Sequence, residues 1–317
     1  MACLKILRIT FIVALIISPL AIHAQDSQLN PVSTWLFNPS YYNPAISGSL
    51  DYSPLYFISA SGKDYNSLTV SGSTRLARKV TGYYNMPDHF TYRNTGAGLH
   101  LFNINAGGLS SLGLKVTGSY HFKLDESSLS FLSLGISLKG SRNTMDITSG
   151  IEPPLAITQE TSFDSNIDLG LYYYGPAFYA GISSSNILPA DSASYAPSSR
   201  HYHFTGGYKL MVYRPLSIMI EPSLILSATD TSTIANIHNI IYPVLKIYIE
   251  NFCLGTYFYK RDRVSLFFRY NYPGMYVGAF LSLSGNSAFY KNEPSIEFSA
   301  GINLSYNKAR RYKRFHW

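Results

Sequence analysis

The chain has 317 residues, of which 46% are hydrophobic and 15% aromatic, with 27 tyrosines and only 14% charged side chains. That is too few charges for an ordinary soluble protein, yet only one apolar run stands out, near the N-terminus, which excludes a bundle of membrane-spanning helices. The net charge of +7 is concentrated at the ends, two charges on Lys5 and Arg8 and five on Lys308, Arg310, Arg311, Lys313 and Arg314; the body is near neutral, which excludes a basic nucleic-acid footprint.

Lys5 and Arg8 precede an apolar run from Ile9 to Leu20, followed by Ala21, Ile22, His23, Ala24 and Gln25. This is the pattern of a Sec signal peptide over residues 1–24, cut after Ala24. The alternative is a membrane anchor, but about twelve apolar residues ending near Pro19 fall short of the roughly twenty that a spanning helix needs. Cys3 lies ahead of the run, so it is no lipid-attachment site. Once it is removed, Cys253 alone remains, which excludes an intramolecular disulfide and a multi-cysteine metal site.

Residues 25–53 form an N-terminal region of different character. Leu29 to Ser49, LNPVSTWLFNPSYYNPAISGS, holds three Asn-Pro pairs and the large side chains of Trp35, Leu36, Phe37, Tyr41 and Tyr42. Proline restricts itself and its predecessor, so the segment reads as stiff and irregular, neither strand nor helix. Its apolar groups need burial, either as a plug or lid in a lumen or against a partner.

Residues 54–306 read as about fourteen strands with no helix-period stretch of useful length. The clearest are Leu112 to Phe122, Ser128 to Lys139, Ile167 to Tyr174, His201 to Leu210, Val264 to Tyr270 and Met275 to Ser284. In the first, Leu112, Leu114, Val116, Tyr120 and Phe122 oppose Gly113, Lys115, Thr117, Ser119 and His121; in the second, Leu132, Leu134, Ile136 and Leu138 oppose Ser133, Gly135, Ser137 and Lys139. Apolar-out and polar-in alternation fits a strand between lipid and a polar lumen. A soluble sandwich also alternates, but no linker or composition break divides the chain into two such units. The fold class expected is therefore an all-β, transmembrane, antiparallel barrel of about 14 strands.

Connection lengths give a topology. Long links at Ser141 to Ser165 and Ser184 to Arg200, and medium ones at Ser227 to Asn236 and Gly285 to Pro294, alternate with tight turns at Gly175-Pro176, Tyr213 to Pro215, Glu250-Asn251 and Tyr272 to Gly274. Outer-membrane barrels keep short turns in the periplasm and long loops outside. Two links break the rule, Lys260 to Arg263 being short and Ala77 to Asn94 long for their places. An even strand count puts both termini in the periplasm, including the basic tail, residues 307–317.

The last strand, Pro294 to Tyr306, sets Ile296, Phe298, Ala300, Ile302, Leu304 and Tyr306 against Glu297, Ser299, Gly301, Asn303 and Ser305. Its Ser299, Gly301, Leu304 and Tyr306, at spacings of two, three and two, resemble the C-terminal signal by which the outer-membrane assembly machinery recognises barrels.

Searches for catalytic or ligand motifs yield little. Gly96-Ala97-Gly98 sits in a strand without a third glycine or a following helix, so close packing explains it better than a phosphate cradle. His201 and His203 share a strand face, but no third ligand follows at useful spacing; lumen or rim hydrogen bonding is a simpler account of them than zinc. Glu221, beside Pro222, reads as a wall charge with no acid partner for general-base work. No catalytic residue, cofactor site or metal site is assigned.

Phe37-Asn38-Pro39, two residues, then Tyr42-Asn43-Pro44-Ala45, two residues, then Gly48-Ser49 resembles the N-terminal signature of the PorP/SprF family of the type IX secretion system. Weaker likenesses follow at Leu129 to Leu138, from Asp168 (DLGLYYYGPAFYAGI), at Arg200 to Gly207 (RHYHFTGG) and at Glu221 to Leu224. Ser33-Thr34-Trp35 and Ile46-Ser47 depart from the family's usual Gln-Tyr and Tyr-Ala. The resemblance implies a non-enzymatic outer-membrane component that assists export or surface anchoring of a cognate secreted cargo, in some members for gliding motility through adhesins. It also implies association with other secretion components and, for some members, with a peptidoglycan-binding periplasmic protein. Residue by residue it points to Trp35, Phe37, Asn38, Pro39, Tyr42, Asn43, Pro44 and Gly48 as a plug or partner-contact motif. The other function compatible with the residues is an outer-membrane channel for small apolar solutes.

Overall fold

The computed structural model describes residues 32–50, 52–62, 65–80, 89–106, 109–125, 130–148, 157–188, 200–228, 240–259, 263–272, 274–284 and 295–304. The expected signal peptide, the first Asn-Pro pair, the basic tail and Tyr306 lie outside them.

A short helix, α1 (Val32–Phe37), and two 3-10 turns, Pro39–Tyr41 and Pro44–Ile46, precede the strands. The wall then runs β1 (Ser53–Gly62), β2 (Tyr65–Val80), β3 (His89–Ala106), β4 (Leu109–Asp125), β5 (Ser130–Thr148), β6 (Ile157–Tyr174), β7 (Phe178–Ser185) and β8 (His201–Tyr208). It continues through β9 (Leu210–Tyr213), β10 (Ile218–Ala228), β11 (Ile241–Ile249), β12 (Phe252–Tyr259), β13 (Arg263–Tyr272), β14 (Met275–Ser284) and β15 (Ser295–Leu304). Every pairing is antiparallel and, apart from β8 with β10, joins neighbours in the chain, and β15 returns to β1 with Ser53 opposite Leu304, so the sheet closes. β8 and β9 both pair with β10 and are separated only at Lys209, so they are successive parts of one wall position. The result is a closed 14-strand barrel with one additional short strand.

Side-chain placement is inverted relative to a soluble core. Leu112, Leu114, Val116, Tyr120 and Phe122 of β4 are exposed, as are Ile296, Phe298, Ile302 and Leu304 of β15. Lys115, Thr117, His121, Asp168, Glu221 and Glu297 are buried inside. An apolar exterior around a charged interior is what a bilayer requires, since lipid replaces water outside and each buried charge must find its partner within.

Strand lengths divide the barrel into a tall and a short side. β7, β8 and β10 to β15 have 8 to 11 residues, about the span of a tilted transmembrane strand. β2 to β6 have 16 to 19. The surplus lies at opposite ends. β5 and β6 stay paired to Thr148 opposite Ile157, which corrects the expected long link at Ser141 to Ser165: only 149–156 separates the strands. β2 and β3 stay paired to Val80 opposite His89, so the expected link from Ala77 to Asn94 narrows to residues 81–88. Polar outward residues such as Arg142 and Thr144 interrupted the apolar alternation there, but backbone pairing does not need a lipid face. The expected tight turns at Gly175-Pro176, Glu250-Asn251 and Gly274 are at one end of the barrel, together with the paired ends of β1 and β15.

The lumen also has two sides. Toward β10 to β14 it is aromatic, with Tyr242, Tyr248, Tyr257, Phe267, Tyr276 and Phe280 all buried. Toward β2 to β7 it is lined by serine, threonine, histidine, Lys115 and Asp168.

Candidate functional site: a segment lodged in the lumen

Residues 32–50 occupy this lumen, and their chemistry matches its two sides. The expectation of neither strand nor helix is corrected here. Val32–Phe37 is helical, and Asn38-Pro39 and Asn43-Pro44 each open a 3-10 turn. Six residues are too few to hold a helix by themselves, so packing supplies what local propensity does not. Proline suits the first position of each turn because its φ is already set and its missing N–H has no role there. In the second turn, Asn43 Oδ1 accepts from the Ala45 N–H at 3.0 Å, a side-chain cap.

The apolar side chains face the aromatic wall. Trp35 stacks on Tyr42, with centroids 3.4 Å apart and planes 6° from parallel, and meets the edge of His203 at 4.8 Å. Phe37 sits among Phe267, Tyr276 and Phe280, with the Arg269 guanidinium 4.8 Å over its ring. Burying Trp35, Phe37 and Tyr42 contributes about 1.5–3 kcal/mol each, which makes the aromatic anchors the main source of adhesion.

The polar atoms face the other wall. Asn38 is fully buried and donates from Nδ2 to Ser71 Oγ at 2.8 Å, while its Oδ1 accepts from Ser40 at 3.0 Å. Asn43 Nδ2 donates to the carbonyls of Leu171 and Ile182, at 3.1 and 3.3 Å, which joins the segment to β6 and β7. Ser133 Oγ donates to the Ala45 carbonyl at 2.7 Å, Ser119 Oγ donates to the Ser47 carbonyl at 2.5 Å, and Ser47 Oγ bonds Thr117 Oγ1 at 2.7 Å. Lys115 Nζ donates to the Tyr41 carbonyl and pairs with Asp168 at 2.5 Å. Asp168 also accepts from Ser137 Oγ at 2.8 Å and from the Asn186 N–H at 2.9 Å. At the other end of the segment, the Ser33 N–H donates to Glu297 Oε2 at 2.8 Å. Irregular backbone in a lumen needs such partners, because no ladder satisfies it.

Wall glycines make the approach possible. A Cβ at Gly135 would stand 2.2 Å from the Ala45 nitrogen, one at Gly170 2.1 Å from Asn43 Oδ1, and one at Gly96 2.3 Å from the Ser47 oxygen. Gly96 and Gly98, expected to reflect close packing, do approach this segment. Gly48 has φ +74° and lies so near Gly96 that its own Cβ would meet the Gly96 Cα at 2.8 Å, so both conformation and space call for glycine. These contacts could have been suspected from the inward parity of Gly135 and Gly170. Their pairing with the Asn-Pro segment could not, because Gly135 stands 90 residues from Ala45 along the chain and Gly170 stands 127 from Asn43.

Of the motif residues named from the sequence, Trp35, Phe37, Asn38, Tyr42, Asn43 and Pro44 are buried together in the lumen, with Gly48 in contact with β3. Pro39 borders a cavity of about 380 Å³. Three residues of the proposed assembly signal, Ser299, Gly301 and Leu304, are elsewhere, on β15. Ser299 faces inward and is buried, Gly301 lies against the Tyr276 ring, and Leu304 faces outward. His201 and His203 stack with centroids 6.0 Å apart, and His203 Nδ1 is 3.2 Å from Ser227 Oγ. Among the described residues no group of three or more metal-ligating side chains comes together. Glu221, read as a lone wall charge, is ion-paired with Lys246 at 2.8 Å and accepts from Tyr179 and Tyr248. Those partners were missed because Lys246 and Tyr248 lie on the adjacent β11 and Tyr179 on β7, beyond β8, and strand register cannot be read from sequence.

The family model described as type IX secretion system membrane protein PorP/SprF matches residues 24–308. No curated protein matches the chain at a significant level. Solved structures similar to it include the β domain of the Bordetella autotransporter BrkA, 11% identical with a TM-score of 0.36, over 80% of this chain and 98% of that one. The KdgM porin is 10% identical with a TM-score of 0.36, over 80% and 99% of the two chains. BamA from Haemophilus ducreyi lacking POTRA domains 1–3 is 10% identical with a TM-score of 0.39, over 80% and 70%.

Proposed function

The chain belongs to the PorP/SprF family of type IX secretion system membrane proteins, and from that premise we propose that it assists the export or surface anchoring of a cognate secreted protein without catalysing a reaction. As a family member with a barrel fold it is an outer-membrane component of type IX secretion. The finer reading includes Sec export with cleavage after Ala24, association with other components of the machine, among them a peptidoglycan-binding periplasmic protein, and an adhesin of gliding motility as the cargo.

The observation that carries this reading is the lodged segment. Its two-sided fit, aromatic toward β10 to β14 and hydrogen-bonded toward β2 to β7, gives the barrel a filled lumen. A filled lumen suits an accessory that presents a fixed surface to protein partners better than it suits a channel. The Trp35 to Gly48 motif acts in this reading as the plug that sets that surface. The test is deletion of residues 25–49. In the secretion reading the barrel still inserts, but its cargo no longer reaches the cell surface, which surface labelling of the secreted proteins detects. Normal cargo display together with faster uptake of small apolar solutes would instead make the channel the better account.

A further inference from the structure

β6 is longer than the strand that follows it. It stays paired with β5 to Ile157, whereas its pairing with β7 stops at Leu169 opposite Ser184. Past that point the Ile187 N–H still donates to the Ile167 carbonyl at 3.0 Å, and the Leu188 N–H donates to the Asn166 side chain at 3.0 Å. From Ser165 back to Ile157, no described residue pairs with this side of β6. The stretch lies beyond the apolar belt. Past Leu138 and Ile167, which stand opposite one another, the outward series continues as Gly140, Arg142 and Thr144 on β5 and as Ser165, Phe163 and Thr161 on β6.

This edge presents a defined set of backbone groups. Ile167 turns its carbonyl toward the β7 side, and the alternation of an antiparallel strand gives Ser165, Phe163 and Thr161 the same orientation of N–H and C=O. All three residues are exposed, Phe163 at 81%. An exposed edge of this kind is a template for another strand. The side chains say which strand it suits. On the inward face Glu160, Ser162 and Asp164 alternate with the exposed residues. Asp168, next along that face, is paired with Lys115, and Lys139 lies near both Asp164 and Asp168. Among the described residues Glu160 has no such cation: Met145 stands opposite it on β5, and its Oε2 is buried without a hydrogen-bond partner. A carboxylate left in that state is costly, and a cation brought alongside relieves it.

We propose that β6 accepts an extended, basic segment of another protein along Thr161 to Ser165, as an added antiparallel strand with a lysine or arginine beside Glu160 and apolar residues on the face of Phe163. Charge argues against the chain's own neighbouring links, since residues 149–156 and 189–199 contain Glu152 and Asp191 but no lysine or arginine. The basic tail follows Leu304, at the opposite end of the barrel. A second copy is also unsuited, because two barrels in one membrane point the same way and a second β6 would bring its own Glu160 to the same level. This contact is separate from the lodged segment and does not depend on the secretion reading.

The full chain without its signal, in detergent, is titrated into a fluorescent octapeptide of alternating valine and lysine, capped at both ends and read by anisotropy. Two further peptides replace the lysines by glutamate or methylate the valine nitrogens, which would face β6. Saturable binding of the lysine peptide is expected, roughly tenfold or more weaker with glutamate and lost on methylation. Ser165→Pro removes one edge-facing N–H but none of the bonds to β5 and should weaken binding about tenfold, whereas Ser165→Ala should not. Glu160→Gln should cost about fivefold. Heat-modifiable migration checks that each variant is folded, and the peptide comparisons on the unsubstituted chain hold even if a variant is not. No saturable binding, equal binding of the lysine and glutamate peptides, or binding that survives methylation would overturn the proposal, as would full affinity in folded Ser165→Pro. A dimer of the chain that Ser165→Pro dissolves would overturn the choice of occupant in favour of a second copy.

Discussion

Gly135→Val sets the lodged segment against the wall that receives it. The Cβ of residue 135 would fall 2.2 Å from the Ala45 nitrogen, 2.4 Å from the Pro44 carbonyl carbon and 2.5 Å from the Ala45 Cα. All three are backbone atoms, so no flexible side chain can swing aside, and something must move by about 1 Å or more before ordinary contact is restored. Overpacking of this kind costs about 1–3 kcal/mol. Displacement also breaks the bond from Ser133 to the Ala45 carbonyl, and a buried carbonyl left without a donor costs about 1–3 kcal/mol more. The combined penalty, about 2–6 kcal/mol, is comparable to the roughly 5–9 kcal/mol that three buried aromatic anchors contribute. The segment should therefore loosen while the barrel remains closed. Gly118→Val is the control, since a Cβ there meets nothing within 4 Å. In the Trp317→Phe background, emission from Trp35 should shift to longer wavelength and become accessible to a soluble quencher in Gly135→Val but not in Gly118→Val, with both barrels heat-modifiable. Unchanged emission and quenching in Gly135→Val would refute the argument that wall glycines admit the segment.

Lys246→Met leaves the buried Glu221 carboxylate without its cation and should lower barrel stability by about 3–5 kcal/mol, read as a lower unfolding temperature in detergent, whereas Glu221→Gln with Lys246→Met should recover most of it; equal loss in both would show that the charge itself is not what matters. Phe298→Arg puts a cation on the lipid face of β15, where Phe298 is 60% exposed, at a cost of up to about 2–4 kcal/mol, and should reduce membrane-inserted protein, while Ser299→Ala on the lumen side should not. For topology, Leu188→Cys at the long-link end should react with an impermeant thiol reagent on intact cells, in a background with Cys253 replaced. Leu216→Cys, in the turn between β9 and β10, should react only after the outer membrane is opened; the reverse pattern would invert the barrel.

What could be read in the sequence depended on how far each interaction reached. Alternation in 112–122 and 296–304 is local, since successive side chains of a strand point to opposite faces whatever the register, and these two strands show the same facing in the fold. The length of β5 and β6 was less legible. Beyond the bilayer their outward residues become polar, Arg142 and Thr161 among them, and the apolar signal ends before the hydrogen bonds do. α1 was illegible for a different reason, because its stability comes from Trp35 meeting Tyr42 and His203 and from Glu297 holding its first turn, contacts up to 264 residues away. The same holds for the ion pair of Lys115 with Asp168, which reaches across β5 from β4 to β6 and requires knowing which residue stands opposite which. Yet the sequence contains a hint of the connection between these long-range contacts. Gly135 and Gly170 have lumen parity beside inward side chains such as Ser133, Ser137 and Asp168, and a lumen wall that gives up side chains at such places makes room for another backbone. The Asn-Pro turns provide one, with stiff carbonyls and capped ends that need donors. Ser133, Ser119 and Lys115 donate to those carbonyls. The polarity of the wall is therefore specific to the segment it holds, and substitutions that restore bulk or remove a donor on that wall should act on the segment before they act on the barrel.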